Sequence, residues 1–183
     1  MEKIMETKDL IIRPSVSEDL DTFYEWELRP EVTEFFSIPD NQSRQEVEDK
    51  FMKDLNDPQA EQFTILLKPE GRMIGRIVIA NIEEGWKAEL WRIYIADTEL
   101  RGKGLGCQAM CAMMRHFFED LGLHRMYLDH YTGNPASKLY LGLGFKYEGV
   151  LRQNCRKNGI LYDVHLMSML KEEYEELKDS LPY

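Results

Sequence analysis

Three glycines alternate with other residues in one short segment, between an apolar stretch and an amphipathic one. The segment is Arg101-Gly102-Lys103-Gly104-Leu105-Gly106; it follows an apolar run ending near Ile95 and precedes a helical pattern that reaches Leu121. Glycines allow the backbone to turn several N–H groups toward one point, and a helix N-terminus adds further free N–H groups. The spacing therefore predicts a cradle for a phosphate or pyrophosphate group.

Two common phosphate-binding loops do not fit this segment. A nucleoside-triphosphate loop requires G-x-x-x-x-G-K-[ST], but Lys103 is followed by Gly104 and not by a hydroxyl residue that could hold magnesium. A dinucleotide-binding fold requires G-x-G-x-x-G after its first strand, whereas these glycines read G-x-G-x-G after several candidate strands. The loop therefore indicates a phosphate-bearing ligand of another kind.

Glu89 lies on a predicted strand, Ala88–Ala96, and is a candidate general base. Because side chains alternate along a strand, Glu89 is expected to share one face with Trp91, Ile93 and Ile95. Burial among large apolar groups raises the pKa of a carboxyl group and suits it to accept a proton. An ordinary structural or substrate-orienting role is an equal alternative.

Neither the cysteines nor the histidines are spaced for a metal site or a disulfide framework. The cysteines are Cys107, Cys111 and Cys155, without a C-x-x-C pair. The histidines are His116, His124, His130 and His165, without an H-E-x-x-H motif. We expect buried thiols and no bound metal, and we expect His116 on the surface of its helix.

Hydrophobic periodicity predicts the order β-α-α-β-β-β-α-β-α-β-β, which favours a mixed α/β sheet. The S-x-x-E spacing at Ser15–Glu18 and Ser43–Glu46 predicts a capping box at the start of each of the first two helices. Asn158-Gly159 predicts the last hairpin turn. Phe35 and Phe36, between the two helices, either line a cleft or cover the core.

Composition describes an acidic globular chain, which we predict to be one domain over residues 1–183. The net charge of −10 argues against nucleic acid as the main ligand and favours a cationic one, unless the acidity serves solubility alone. No window approaches the ~20 apolar residues of a membrane span, and the first residues lack the apolar run of a secretory signal. We therefore expect a cytoplasmic protein without membrane contact.

A second motif follows the glycine loop. Arg101–Gly106 matches R-x-x-G-x-G, and Asn134–Phe145 matches N-x-x-[AS]-x-x-L-Y-x-x-x-G-F. In this order and context the pair resembles the GNAT family of acetyl-coenzyme A dependent N-acetyltransferases, especially the branch of ribosomal-protein alanine and spermidine acetyltransferases. The resemblance implies a single-domain, mostly antiparallel sheet with helices on both faces. Dimers are frequent in this family, and the sequence leaves a homodimer open.

The resemblance also implies roles for individual residues around a bound acetyl-CoA. The backbone of Ile93, Tyr94 and Ile95 would bind the pantetheine arm and polarise the thioester carbonyl. Arg101–Gly106 would bind the pyrophosphate. The residues that would contact the far arm of the cofactor are Asn134 and Ser137.

The implied reaction is direct attack of a primary amine on the thioester. Tyr140 matches the tyrosine that protonates the departing thiolate. Glu89, Asp129 or a chain of water molecules would accept the proton of the amine, and the expected burial of Glu89 beside Trp91 and Ile93 favours Glu89 over Asp129. The acceptor would be a polyamine, a protein N-terminus or another small amine. The alternative function is a noncatalytic acetyl-CoA sensor that acts through a partner.

Overall fold

The computed structural model describes residues 4–182, which form one eight-stranded sheet. The strands are β1 (Met5–Glu6), β2 (Leu10–Pro14), β3 (Glu61–Leu67), β4 (Arg72–Glu83), β5 (Lys87–Ile95), β6 (Arg125–Tyr131), β7 (Lys146–Lys157) and β8 (Ile160–Leu170). Their order is β1-β2-β3-β4-β5-β6-β8-β7, and β5 with β6 is the one parallel pair within those residues. This confirms the predicted mixed, mostly antiparallel sheet.

Six α-helices connect and flank these strands within the described residues. They are α1 (Leu20–Glu27), α2 (Pro30–Thr33), α3 (Arg44–Leu55), α4 (Leu105–Arg115), α5 (Ala136–Gly142) and α6 (Lys171–Leu177). None of the helices formed by residues 4–182 combines the length and the apolarity that a bilayer span requires.

The helices create a separate apolar core on each face of the sheet. One face packs against α4, whose buried residues include Ala109, Met110, Cys111, Ala112 and Met113. The other face packs against α1 and α3 through Phe23 and Phe51, whose rings lie 6.1 Å apart. We call these the α4 core and the α1–α3 core. The predicted placement of helices on both faces is confirmed.

The two predicted capping boxes have different outcomes. At α3, the Glu46 N–H donates to Ser43 Oγ at 3.2 Å and the Ser43 N–H donates to Glu46 Oε2 at 2.7 Å, as predicted. Before α1, however, Ser15 Oγ lies 2.9 Å from Thr64 Oγ1 on β3, and Asp19 accepts from the Val16 N–H at 3.1 Å. The Ser15–Glu18 box is therefore wrong, because a tertiary contact engages the serine.

A β-bulge interrupts β5 at Trp91. Val78 on β4 pairs with Arg92, but the next residue, Ile79, pairs with Leu90, so Trp91 is an extra residue on its strand. An extra residue changes which face the following side chains occupy. The strict alternation predicted for this strand therefore fails at its middle.

The bulge separates Glu89 from the isoleucines that were expected beside it. Glu89 and Trp91 line a groove with Lys50 of α3, whereas Ile93 and Ile95 pack against the α4 core. The prediction that Glu89, Trp91, Ile93 and Ile95 share one face is wrong. Sequence periodicity cannot show a one-residue bulge, because the bulge is defined by the register with the neighbouring strand.

The long helix that follows the glycine loop ends in a π-helical turn, His116–Asp120. His116 is buried within it, with Nε2 2.6 Å from Glu61 Oε2 and Nδ1 3.1 Å from Asp120 Oδ2. The expectation that His116 lies on the helix surface is wrong. His116 follows Ala112 and Met113 of the buried helix face by four and three residues, so the helix itself directs this side chain toward β3, where the ring also lies 5.4 Å from that of Phe63.

Candidate active site

A cleft of about 310 Å³ lies where β5 and β6 diverge. Their parallel pairing is confined to Lys87–Glu89 and Arg125–Tyr127 within the described residues, and beyond it the two strands separate. The segment around α2 covers the opening, and α5 closes another side. The residues that line the cleft include Glu31, Glu34, Phe35, Phe36, Trp91, Arg92, Ile93, Tyr94, Ile95, Arg101, Asp129, Tyr131, Asn134, Tyr140 and Cys155.

One wall of the cleft is the unpaired edge of β5. The strand pairs with β4 along its other edge as far as Ile95, but it has no β6 partner after Glu89 within residues 4–182. Alternate N–H and C=O groups of Ile93–Ile95 on that side are therefore free to bind a ligand. The structure thus brings all three residues predicted to bind pantetheine to the cleft wall.

The glycine loop leads from the cleft to the N-terminus of α4: Arg101 lines the cleft, whereas Gly102–Gly106 are not among the lining residues. Gly102 and Gly104 have φ values of 75° and 78°, a left-handed conformation that glycine adopts without strain. The first helical hydrogen bond runs from the Gln108 N–H to the Gly104 carbonyl at 3.1 Å, so the N–H groups of residues 105–107 lie free ahead of it. The loop can therefore bind an anion through its backbone.

Arg101 links this loop to the cover of the cleft. Its Nη2 donates to the Glu31 carbonyl at 2.8 Å, and both residues line the cleft. The side chain therefore contributes a positive charge at the cleft mouth. It also ties the loop to α2.

Asn134 and Ser137 lie at the beginning of α5. The Ala136 N–H donates to Asn134 Oδ1 at 2.9 Å, and the Ser137 N–H donates to the Asn134 carbonyl at 3.2 Å. Asn134 lines the cleft, whereas Ser137 is half-buried on the first turn of α5 and is not among the lining residues. The first turn of α5 is therefore oriented by a side chain that itself faces the ligand space.

Tyr140 lies on α5, is largely buried and lines the cleft. Burial and the negative charge of Asp129 raise the pKa of the Tyr140 hydroxyl to about 12. The hydroxyl is therefore fully protonated at neutral pH. Such a group can donate a proton to an anion that forms inside the cleft.

The two candidate bases occupy different places. Asp129 lines the cleft, and burial raises the pKa of its carboxyl group. Glu89 is not among the cleft-lining residues; its Oε2 accepts from Asn81 Nδ2 at 2.7 Å. Burial also raises the pKa of Glu89, and the nearby charge of Asp129 adds to this effect. Trp91 separates the two positions, since it lines both the cleft and the groove that holds Glu89.

Several cleft residues were not predicted from the sequence. Arg92 lines the cleft because the bulge at Trp91 shifts the register of β5. Tyr131 of β6 and Cys155 of β7 both line the cleft, although they are distant in the sequence. No motif or local periodicity identifies them. For Phe35 and Phe36, which the sequence left undecided, the structure places both at the cleft, and Phe36 also packs on the α1–α3 core.

The described residues contain no group of three or more His, Cys, Asp or Glu side chains arranged to hold a metal ion. Cys155 is a free thiol at the cleft.

Comparisons with known proteins identify relatives over most of the chain. The acetyltransferase (GNAT) domain family matches residues 9–146. A Bacillus licheniformis protein named "Uncharacterized N-acetyltransferase p20" is 31% identical over 173 residues, covering 92% of this chain and 96% of the relative. A "Putative ribosomal N-acetyltransferase YdaF" of Bacillus subtilis is 32% identical over 108 residues, covering 58% of each chain.

A solved structure resembles the whole architecture. The spermidine N-acetyltransferase from Vibrio cholerae, crystallised with CoA and spermine, superposes with a TM-score of 0.81 at 26% identity, covering 91% of this chain and 98% of that one.

Proposed function

Because this chain belongs to the GNAT family of acetyltransferases, we propose that it transfers an acetyl group from acetyl-CoA to a primary amine in one step, within the cleft between β5 and β6. One observation carries the proposal. A single cleft is lined by the unpaired edge of β5, by Arg101 of the glycine loop and by the hydroxyl-bearing Tyr140. Direct transfer requires the donor and the acceptor to be held together, and positioning supplies much of the acceleration.

The chain's own groups fit coenzyme A in this cleft. The free N–H groups at the start of α4 would hold the pyrophosphate, where the helix dipole favours negative charge. The free backbone groups of Ile93–Ile95 would hold the pantetheine arm and bind the carbonyl oxygen of the thioester. Asn134 and Ser137 would contact the far arm of the cofactor. Bound acetyl-CoA would supply the activated acetyl group.

Tyr140 and Asp129 are the proton-transfer residues in this proposal. Tyr140 would protonate the sulfur of coenzyme A as the thiolate departs. Asp129 would accept the proton of the amine directly or through water, because it lines the same cleft as Tyr140. Glu89 is the alternative base, and it would need a water chain past Trp91 to reach the amine.

The acceptor is proposed to be a cationic amine. Glu31, Glu34 and Asp129 line the cleft, and the chain carries a net charge of −10. The Vibrio cholerae neighbour is a spermidine N-acetyltransferase, which supports a polyamine as the acceptor. The Bacillus subtilis relative is named a putative ribosomal N-acetyltransferase, which supports a protein N-terminus as the acceptor. Phe35 and Phe36 would pack on the carbon chain of either acceptor.

Release of free thiol from acetyl-CoA with a panel of amines tests the function. The panel contains spermidine, spermine, putrescine, peptides with a free N-terminus and an aminoglycoside. We expect turnover with at least one of these amines. The absence of thiol release with every polyamine would exclude polyamines as acceptors. Acetyl-CoA that raises the Tm without turnover on any amine would favour the noncatalytic sensor.

A further inference from the structure

The part of β5 that lines the cleft is supported by a strand on one side only. After the bulge at Trp91 it pairs with β4, while its other edge faces the cleft. Its position relative to the cleft therefore depends on the pairing with β4 and on the side chains that anchor it. Acetyl transfer would need this edge to be held within a fraction of an ångström.

A single carboxylate oxygen on α1 contacts this segment at two points. Glu27 Oε1 accepts from Arg92 Nη1 at 2.6 Å and from the Tyr94 hydroxyl at 3.1 Å. The same oxygen accepts from Arg76 Nη1 on β4 at 2.8 Å. Arg76 and Tyr94 are directly paired across the two strands. Glu27 therefore ties α1 to β4 and to both ends of the Arg92–Tyr94 segment.

Glu27 forms the anchor of β5 together with Arg76 and Arg92. This anchor is buried and its charges are unbalanced. Glu27 is 4% exposed, Arg76 is 2% exposed and Arg92 is 4% exposed, so one carboxylate faces two guanidinium groups. Burial raises the pKa of Glu27, but the charges of Arg92 and Arg76 more than offset this and hold that pKa below its ordinary value. Glu27 is therefore ionised at neutral pH, and its removal would leave two buried cations without their counter-charge.

Further contacts of Arg76 fix the cluster to the α1–α3 core. Gln62 Oε1 accepts from Arg76 Nη2, and Gln62 Nε2 donates to the Phe51 carbonyl at 2.9 Å. The Arg76 guanidinium also lies 4.6 Å from the centroid of the Phe23 ring. Movement of β5 would thus disturb contacts on α1, α3 and β3 together.

We propose that Glu27 is a positioning residue, which holds the Arg92–Tyr94 segment of β5 at the geometry that acetyl transfer requires. This rests on the proposed function, in which the Ile93–Ile95 backbone binds the thioester. Glu27 itself lies behind the strand and is not among the residues that line the cleft. Its effect on the reaction passes through the backbone of β5.

Glu27→Gln, Tyr94→Phe and the control Glu25→Gln test this role. Glu25 is an exposed residue on the same helix. Each variant is assayed well below its own Tm, with kcat, KM for the amine and Kd for CoA measured separately. We expect Glu27→Gln to lower kcat about 10²-fold, Tyr94→Phe to lower it about five-fold, and both to change Kd for CoA much less, since the pyrophosphate loop is untouched. Glu25→Gln leaves all three values unchanged.

A purely structural role for Glu27 predicts a different result. In that case Glu27→Gln lowers the Tm, but kcat below the Tm equals that of the unaltered protein, and this result would overturn the proposal. Should Glu27→Gln fail to fold, Tyr94→Phe decides, because it removes one hydrogen bond without changing the charge of the cluster. An unchanged kcat in Tyr94→Phe would then overturn the proposal.

Amide hydrogen exchange separates this proposal from the proposed function. If the unaltered protein acetylates no amine, the proposed function fails, but the exchange rates of those β5 amides between Arg92 and Ala96 that hydrogen-bond to β4 still report on the anchor. We expect these amides to exchange about ten-fold faster in Glu27→Gln, relative to those of β2 in the same protein. Equal rates in the variant and in the unaltered protein would overturn the positioning role.

Discussion

Gly75 on β4 lies so close to β5 that a β-carbon added to it would be 2.2 Å from the carbonyl oxygen of Tyr94. The obstacle is backbone, which cannot rotate away as a side chain can. The same added atom would lie 3.1 Å and 3.2 Å from the side chains of Ile65 and Ile95. Only glycine therefore allows β4 to hold the cleft-lining part of β5 at this distance.

Gly75→Ala is expected to displace β5 and to destabilise the fold by about 1–3 kcal/mol, because overpacking against backbone forces the strands apart. Chemical denaturation measures the stability, and thiol release from acetyl-CoA measures kcat, which should fall in parallel. Gly142→Ala is the matched control, since an added β-carbon there meets nothing within 4 Å. Equal stability of Gly75→Ala and the unaltered protein would show that β4 and β5 can separate without cost.

Tyr140→Phe is expected to lower kcat about 10²-fold or more while leaving the affinity for CoA unchanged, because it removes only the proton donor. The pKa of Tyr140 is raised to about 12, so the hydroxyl loses its proton only above that pH. The kcat of the unaltered protein should therefore show no decline caused by Tyr140 up to about pH 10. Thiol release across a pH series measures both effects, and unchanged turnover in Tyr140→Phe would exclude this tyrosine as the acid.

Asp129→Asn is expected to lower kcat/KM for the amine more than Glu89→Gln does, because Asp129 lines the cleft and Glu89 does not. A base must be unprotonated, so activity rises with pH through its pKa. Burial places the pKa of Asp129 above its ordinary value of 3.8, and the acidic limb of the pH profile should reflect that shift and vanish in Asp129→Asn. A larger loss in Glu89→Gln would assign the base to Glu89 instead.

Gly104→Ala is expected to weaken CoA binding, because Gly104 has a φ of 78° and a β-carbon in that conformation costs about 1–2 kcal/mol. An added β-carbon there meets no other atom within 4 Å, so the effect is conformational and not steric. Gly104→Asn serves as the comparison, since asparagine tolerates the left-handed region better. Calorimetric Kd values should rank glycine tightest, then asparagine, then alanine; the reverse order for the two variants would contradict the backbone argument.

Glu148→Gln is expected to remove a pH-dependent part of the stability. Arg125 donates two hydrogen bonds of 2.6 Å to the Glu148 carboxylate, and these lower its pKa to about 2. Burial opposes this shift, and a hydrogen bond from Ser168 adds to it. Because the pKa of Glu148 is lower in the folded protein than in the unfolded chain, the ionised carboxylate stabilises the folded state at pH values above 4.5, the pKa in the unfolded chain. This stabilisation is lost as the pH falls from 4.5 to about 2. Both side chains are partly exposed, so solvent screening limits the effect to about 1 kcal/mol.

Urea unfolding at pH 7, pH 4 and pH 2.5 measures this loss. The difference in unfolding free energy between the unaltered protein and Glu148→Gln should shrink across that series. A difference that stays constant with pH would show that the pair does not titrate as described.

The sequence by itself determined the features that depend on local backbone chemistry. The glycines of Arg101–Gly106 predicted a phosphate cradle, and Asn134-Pro135 predicted the start of a helix, because positive φ angles and capping side chains act within a few residues. The mixed sheet followed from periodicity for the same reason. The two motifs also carried the resemblance to the family, and that resemblance placed Tyr140, Glu89 and Asp129 among the candidates.

The tertiary structure alone decided which side chains meet. One extra residue at Trp91 reversed the faces of β5 and moved Glu89 away from Ile93, and this depends on the register with β4. Contacts with β3 buried His116 and engaged Ser15. Sequence patterns report periodicity along one element, whereas register, bulges and buried ion pairs arise between elements that lie far apart in the chain.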